Sequence, residues 1–339
     1  MKVSLFCKRI IWVLLLISPL VFSNKIRLYA GEKTPVKLSY SFDWKIPAQN
    51  AGYFVALSKG FYKDEGLDVT LSDGSGALLN LKLIGTGKMF MAASQAPQIV
   101  KARADGIPVV SVAVLLQYKG DIILSLEEKG IKLPSDLVDK KVGVLFGTSL
   151  EDTYKALLAK AGIQRKEVQE VQAMGGVRSA LLLTNKVDAL TTGYFSSDLY
   201  GVEKSGKRPG VMDVRDFGIE WYSNVIAVHE DFIKNNPDLI RRFVRASLKG
   251  WEYIPQHQDE TVQIIMKYRP ETDKEYLKWS IGQIVPLLTN KDTERFCFGI
   301  QTGERWDKMQ EDLFTSGYTQ KKVPATEFFT NDFLPEYKK

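Results

Sequence analysis

Residues 43–69, DWKIPAQNAGYFVALSKGFYKDEGLDV, decide the fold. They follow an apolar run at 36–42 that predicts a strand ending on Asp43-Trp44 and a polar loop. A helix then presents the small residues Ala51, Gly52, Val55 and Ala56 on one face, and Gly60 and Gly66 punctuate the step to a second strand at 67–71. Strand and helix alternating at this short spacing predict a parallel sheet with crossover helices. Ligands of such sheets bind beyond the carboxyl ends of the strands, which puts Trp44, Gly74 and Gln117 along one edge.

The rhythm continues outward. LSDGSGALLNLKLIGTGKM at 71–89 predicts a helix over 77–84 closed by Gly85-Thr86-Gly87. A strand then leads to Ala93-Ser94-Gln95, and a helix over 98–104 stops at the turn Asp105-Gly106. The unbroken apolar run 107–116 reads as a strand buried on both faces. A second αβ set starts near Gly120: a short helix at 133–137, a strand at 141–146, a helix over 150–161 closed by Gly162, and further units at 168–173, 177–183 and 187–190. It has enough strands for a sheet of its own. At 221–228 another apolar strand appears, and beyond Asn236-Pro237 the pattern turns helical, with Ile240, Phe243, Val244 and Leu248 at helical spacing.

The first residues have the form of an export signal. Lys2, Lys8 and Arg9 precede an apolar run at 10–22 that is too short to span a bilayer. Cleavage is expected after Ser23, or as late as Ala30, and Cys7 lies ahead of the apolar run, where it cannot serve as a lipid anchor. Removing those three basic residues takes the net charge from +6 to +3, an ordinary soluble balance without the basic block that nucleic-acid binding requires. Cys297, flanked by Phe296 and Phe298, reads as a small buried hydrophobe. His229 and His257 stand far apart without acidic or thiol partners at ligand spacing, so no metal and no cofactor is expected.

Candidate ligand contacts follow from the strand ends. Trp44 offers a flat face for a planar ring, and Gln49 and Asn50 offer amides that serve equally well as helix caps. Gly74-Ser75-Gly76 and Gly147-Thr148-Ser149 each open a helix with bare backbone N–H groups, suited to a polar or anionic ligand group. Ser94, Gln95 and Gln117 supply uncharged hydrogen-bonding groups. Tyr194 and Phe195, with Asp198 one turn on, form a second aromatic wall and an acceptor; Tyr222 closes the cleft or fills the hinge. Arg103 reads as solvated and Arg178 as a weak anion partner, so the aromatic supply favours a flat heterocycle over nitrate or taurine.

Three motifs carry a resemblance: Gly60-Phe61-Tyr62-Lys63-Asp64-Glu65-Gly66-Leu67-Asp68-Val69, Ala102-Arg103-Ala104-Asp105-Gly106-Ile107-Pro108-Val109-Val110 and Thr330-Asn331-Asp332-Phe333-Leu334. Over about residues 36–334 the chain resembles the periplasmic solute-binding proteins of ABC importers, in the branch for nitrate, sulfonate, taurine and thiamine-pyrimidine precursors. The resemblance implies a type II, two-lobed α/β fold with a mostly parallel sheet in each lobe and the ligand cleft between them. It implies a first lobe of residues 34–118 plus 222–339 and an inserted second lobe of 119–221. It implies a monomer that closes about a hinge and delivers its ligand to a membrane permease. A thiamine-type aminopyrimidine is the leading ligand, ahead of riboflavin and then alkanesulfonate, taurine or nitrate; an exported sensor is the non-transport alternative. The same fold also houses an enzyme that builds the thiamine pyrimidine from its own histidine. That histidine would fall at Ala92-Ala93-Ser94-Gln95 and a Cys-rich run near Trp221-Tyr222-Ser223-Asn224; this chain has neither, so no catalysis is expected.

Overall fold

The computed structural model describes residues 34–335, so the expected leader and its cleavage sites lie outside the described residues. Ten strands form two five-stranded sheets. The first sheet contains β1 (Val36–Ser41), β2 (Leu67–Ser72), β3 (Met91–Gln95), β4 (Val109–Val114) and β10 (Asn224–His229) in the order β2-β1-β3-β10-β4. The second contains β5 (Asp121–Leu126), β6 (Lys141–Val144), β7 (Gln169–Gln172), β8 (Ala189–Gly193) and β9 (Pro209–Asp213) in the order β7-β6-β8-β5-β9.

The sheets repeat one plan. β1 runs parallel to β2 and β3, and only β10 opposes its neighbours β3 and β4. In the second sheet β6 runs parallel to β7 and β8, and β5 opposes β8 and β9. The reversed strand of each sheet is the first one formed after the chain crosses from the other. The crossings are β4 to β5 and β9 to β10. As a result the carboxyl ends of the forward strands and the amino end of the reversed strand share one edge in each sheet.

Apolar packing explains the layers. One face of the first sheet is buried under the helix Ala51–Ser58 and the helix Pro237–Tyr253, in a core with Tyr40, Phe42, Tyr53, Phe243 and Trp251. The small residues anticipated on the first helix are needed there. A Cβ on Gly52 would lie 2.3 Å from the Trp251 ring, and one on Gly250 would lie 2.1 Å from the Gly52 carbonyl. Cys297 is buried in this same core. A second core runs from Ile99 and Val109 of the first sheet's other side through Trp221, Tyr222 and Trp306 to Val142 and Leu157 of the second sheet. A third, built on Ile122, Leu124, Leu190 and Leu199, fills the far face of the second sheet.

One side-chain expectation changes. Arg103 is not solvated: only 11% of its side chain is exposed, and it bridges Glu230 at 2.5 Å and Glu327 at 2.9 Å, tying the C-terminal segment to the first sheet. His229 does start a helix, its Nδ1 accepting from Asp231 N–H at 3.0 Å. Among the described residues no group of His, Cys, Asp and Glu is arranged to hold a metal, and no helix is long and apolar enough to cross a membrane.

Candidate functional site at the facing strand ends

At the shared edge of the first sheet, five polar side chains converge in the interior. The Gln49 amide donates to Asp43 Oδ2 at 3.2 Å and to Asn224 Oδ1 at 3.1 Å. The Gln95 amide also donates to Asp43 Oδ2, and to Asn224 Oδ1 at 3.3 Å. Ser223 Oγ donates to Gln95 Oε1 and Asn224 Oδ1, both at 3.2 Å. β1, β3 and β10 lie side by side, so residues far apart in sequence meet here. Asp43 is 3% exposed and Asn224 1%. Burial pushes the Asp43 carboxyl up, against the Gln95 hydrogen bond. Two atoms of this cluster, Asp43 Oδ1 and Asn224 Nδ2, are buried with no partner in good hydrogen-bond geometry, although the backbone N–H groups of Asp43 and Trp44 come close enough to the Asp43 carboxyl to oppose its upward shift. One is an acceptor and the other a donor, and an unmade hydrogen bond at such a position is costly unless a ligand completes it.

Trp44 follows Asp43 directly and is 53% exposed, outside every core. Its loop is braced from below: Asn50 Nδ2 donates to Trp44 O at 3.2 Å and to Ile46 O at 3.0 Å. Asn50 makes no cap hydrogen bond to the helix it precedes; its Nδ2 braces the loop, while its buried Oδ1 has no hydrogen-bond partner. Gly74 has a backbone reason of its own, since a Cβ there would lie 1.7 Å from Phe42 O. The exposed Ser75 and Gly76, at φ 138°, then lead into the helix Ala77–Gly85. Ser94 is turned under that helix, its Oγ 3.5 Å from Ala77 O, while Gln95 joins the polar cluster.

The edge of the second sheet is built differently. Lys119 Nζ is paired with Asp121, and it donates to Ser149 O and Thr153 Oγ1, both at 3.0 Å. Arg178, also buried, has Nε 3.2 Å from Asp198 Oδ2 and donates through Nη2 to Thr191 O. Asp198 accepts from Thr192 Oγ1 at 2.8 Å. Arg215 grips Asp213 with two nitrogens, and Tyr194 OH donates to the same carboxylate at 3.1 Å. Asp198, expected to face the ligand as an acceptor, is thus already engaged as the counterion of Arg178. At the other helix start, Gly147 N–H is taken by Glu151 Oε2 at 2.7 Å, and Thr148 Oγ1 donates back to Leu145 O at 2.7 Å without capping the helix. Ser149 opens the helix Ser149–Lys160 and gives its carbonyl to Lys119.

Gln117 and Tyr222 belong to the crossings. Gln117 Nε2 donates to Ile300 O at 3.1 Å and its Oε1 accepts from Arg305 Nη1 at 2.9 Å, so both ends of the amide are used. Arg305 Nη2 also donates to Gln117 O at 2.6 Å and to Glu220 O at 2.8 Å, joining the two crossings. Its guanidinium lies 4.0 Å from the Tyr222 ring centre. Tyr222 is fully buried and its hydroxyl accepts from Thr302 N–H at 2.9 Å, so its side chain packs at the crossing.

Sequence reasoning passed over Asp43 in favour of its neighbour Trp44, and it passed over Asn224, Ser223, Lys119, Asp121, Asp213 and Arg215. Asp43 and Asp121 carried a readable signal: each stands at the polar end of an apolar strand on the ligand-facing edge. Asn224 and Ser223 owe their place to Gln49 and Gln95, far away in sequence, whereas Lys119 and Arg215 pair with carboxylates only two residues away.

Comparison with known proteins fits this architecture. "Formylaminopyrimidine-binding protein" of Halalkalibacterium halodurans is 23% identical over 291 residues, covering 85% of this chain and 88% of its own. "Riboflavin-binding protein RibY" of Chloroflexus aurantiacus is 27% identical over 294 residues, covering 85% and 83%. The synthase "4-amino-5-hydroxymethyl-2-methylpyrimidine phosphate synthase THI5" of Saccharomyces cerevisiae is 24% identical over 317 residues, covering 89% and 87%. Among solved structures, the periplasmic aliphatic sulphonate binding protein SsuA of Escherichia coli superposes with a TM-score of 0.68 at 14% identity, covering 87% of this chain and 91% of that one, and so shares the two-lobed periplasmic-binding-protein fold. The sequence model described as "NMT1/THI5 like" matches residues 48–261, more than half of the chain, and the protein therefore belongs to the NMT1/THI5-like family.

Proposed function

We propose that the protein is the substrate-binding component of an ABC importer and that it captures a flat amino-heterocycle of the thiamine-pyrimidine precursor type. The carrying observation is the pair of buried, unpartnered atoms Asp43 Oδ1 and Asn224 Nδ2, with the exposed Trp44 next in the chain after Asp43. An aminopyrimidine edge places an exocyclic N–H donor next to a ring-nitrogen acceptor, the complement of that pair. Trp44 then covers one face of the ring, and Tyr194 lies on the opposite lobe.

The cations Lys119, Arg178 and Arg215 each sit against a carboxylate, so a sulfonate would have to compete with Asp121, Asp198 and Asp213 for them. This favours the heterocycle over sulfonate, taurine or nitrate. Binding is favoured over catalysis because the β3 end where the related enzyme would carry its histidine holds Ser94 and Gln95, both fixed by hydrogen bonds. In this reading the two crossings are a hinge between a first lobe (34–118 plus 222–339) and an inserted second lobe (119–221). The leader at 1–23 exports a monomer to the periplasm, and the closed form docks on a permease.

The test is calorimetry of the purified chain with formylaminopyrimidine, riboflavin, thiamine, taurine and an alkanesulfonate. Formylaminopyrimidine is expected to bind, and Asp43→Asn, which swaps an acceptor for a mixed amide, is expected to weaken it about 100-fold, the effect of about 2–3 kcal/mol from a lost hydrogen bond to a charged group. Binding of the sulfonate alone, indifferent to that substitution, would overturn the ligand assignment.

A further inference from the structure

Two helices meet across the lobes beside the site. The helix Lys274–Ile284 is rooted in the first core through Leu277, Ile281 and Ile284, and it touches the turn Ala48–Asn50 that carries Gln49. The helix Ser197–Lys204 is rooted in the second sheet's outer core through Leu199 and Val202. Between them lies an aromatic cluster. The Tyr200 ring sits 5.4 Å from Tyr276 and 5.2 Å from Trp279. Trp279 Nε1 donates to Glu203 Oε2 at 2.8 Å, and Tyr276 OH donates to Phe195 O at 2.9 Å. The exchange is reciprocal: Phe195 of the second lobe packs on the first core, while Trp279 of the first lobe packs on the outer core of the second.

Each root is wholly buried, but Tyr200, Tyr276 and Trp279 themselves are only partly so. A contact of this kind can separate and re-form without unfolding either lobe, because the apolar area it releases is small beside that of the two cores. The bonded carbonyl belongs to Phe195, the residue after Tyr194, so separation would move one wall of the site.

We propose that Tyr200, Tyr276 and Trp279 form an interlobe latch that sets how far the ligand-free protein populates the closed form. The inference rests on the two-lobed closing reading above and concerns the regulation of that same site. A latch contributes to closure whether or not ligand is present, and apparent affinity scales with the fraction already closed. Breaking it lowers that fraction and weakens apparent affinity without removing a ligand contact.

The test is small-angle X-ray scattering of the ligand-free full chain, with calorimetry using formylaminopyrimidine alongside. Tyr200→Ala and Trp279→Ala are each expected to raise the radius of gyration, and the double variant to raise it by less than the sum of the two, because both act on the same cluster. Apparent affinity is expected to fall about 10-fold in each. Tyr276→Phe removes only the hydroxyl bond to Phe195 and gives a smaller rise, which keeps the test intact should Trp279→Ala fail to fold. An unchanged radius of gyration in all three would overturn the latch even if formylaminopyrimidine binds. A raised radius with no pyrimidine binding would uphold the latch and count against the ligand assignment instead.

Discussion

The two sheets share a strand order and a reversed strand, yet the polar groups on their facing edges obey opposite rules. On the first edge, one buried carboxylate is surrounded by neutral amides and a hydroxyl, and the set is left one acceptor and one donor short. On the second edge, three cations each face a carboxylate, with Thr153, Thr192 and Tyr194 adding hydrogen bonds to those carboxylates. Paired charges are rigid and largely spent; an incomplete neutral set is available for directional recognition. In the proposed site, one fold plan would thus supply a reading surface on one edge and a preorganised wall on the other.

The sharpest way to break the contrast is to spoil the wall. Arg178 is 5% exposed and Asp198 8%, and Arg178→Ala would leave the carboxylate buried with the Thr192 hydroxyl still donating to it. Breaking a buried pair from one side costs about 3–5 kcal/mol. Urea unfolding should show that loss, whereas replacing both members with apolar residues of similar volume should recover most of it. Equal losses for the single and double replacements would mean that the pair holds the wall by something other than charge compensation.

Asp152 separates the two edges through pH. It lies in the first turn of the helix Ser149–Lys160, is 7% exposed, and burial pushes its carboxyl up to about 6, opposed by Lys119 and Lys155. A carboxyl raised in the folded state costs stability when ionised. That cost is present above about pH 6 and is relieved as pH falls from 6 towards 4. Asp152→Asn should therefore stabilise the protein by about 2–3 kcal/mol at pH 8 and by nearly nothing at pH 4, as measured by the melting temperature across that range. A gain independent of pH would show that Asp152 does not titrate in the folded protein as its burial implies.

What could be read from the sequence followed the range of the interactions involved. β1, β2 and the helices between them were legible because strand length, Gly60, Gly66 and the small helix face are local signals. β5 and β9 were not. Asp121–Leu126 pairs with β8 and β9, both far along the chain, and Pro209–Asp213 is short and opens with proline. Strand-end logic could not separate Gln95, which joins the polar cluster, from Gln117, whose amide is used by Arg305 some 188 residues away. Tyr222 was left open between two roles for the same reason, since its neighbours Thr302 and Arg305 come from the C-terminal segment. Asn50 looked like a cap because caps are local, and its actual partners are the carbonyls of the loop before it.

The smallest expected effect isolates the reading surface itself. Trp44 is 53% exposed and belongs to no core, so Trp44→Ala should leave stability within about 0.5 kcal/mol of the parent. If its ring covers the ligand, the lost stacking amounts to about 1 kcal/mol, a five- to tenfold weakening of formylaminopyrimidine binding by calorimetry. Tyr194 provides the counterpart on the wall, where Asp213 and Arg215 fix the ring. Tyr194→Phe keeps the aromatic face and removes only the hydroxyl bond, so it should bind ligand like the parent. If Tyr194→Phe weakened binding as much as Trp44→Ala, the second edge would also be reading the ligand through a polar group, and the division of labour between the two sheets would fail.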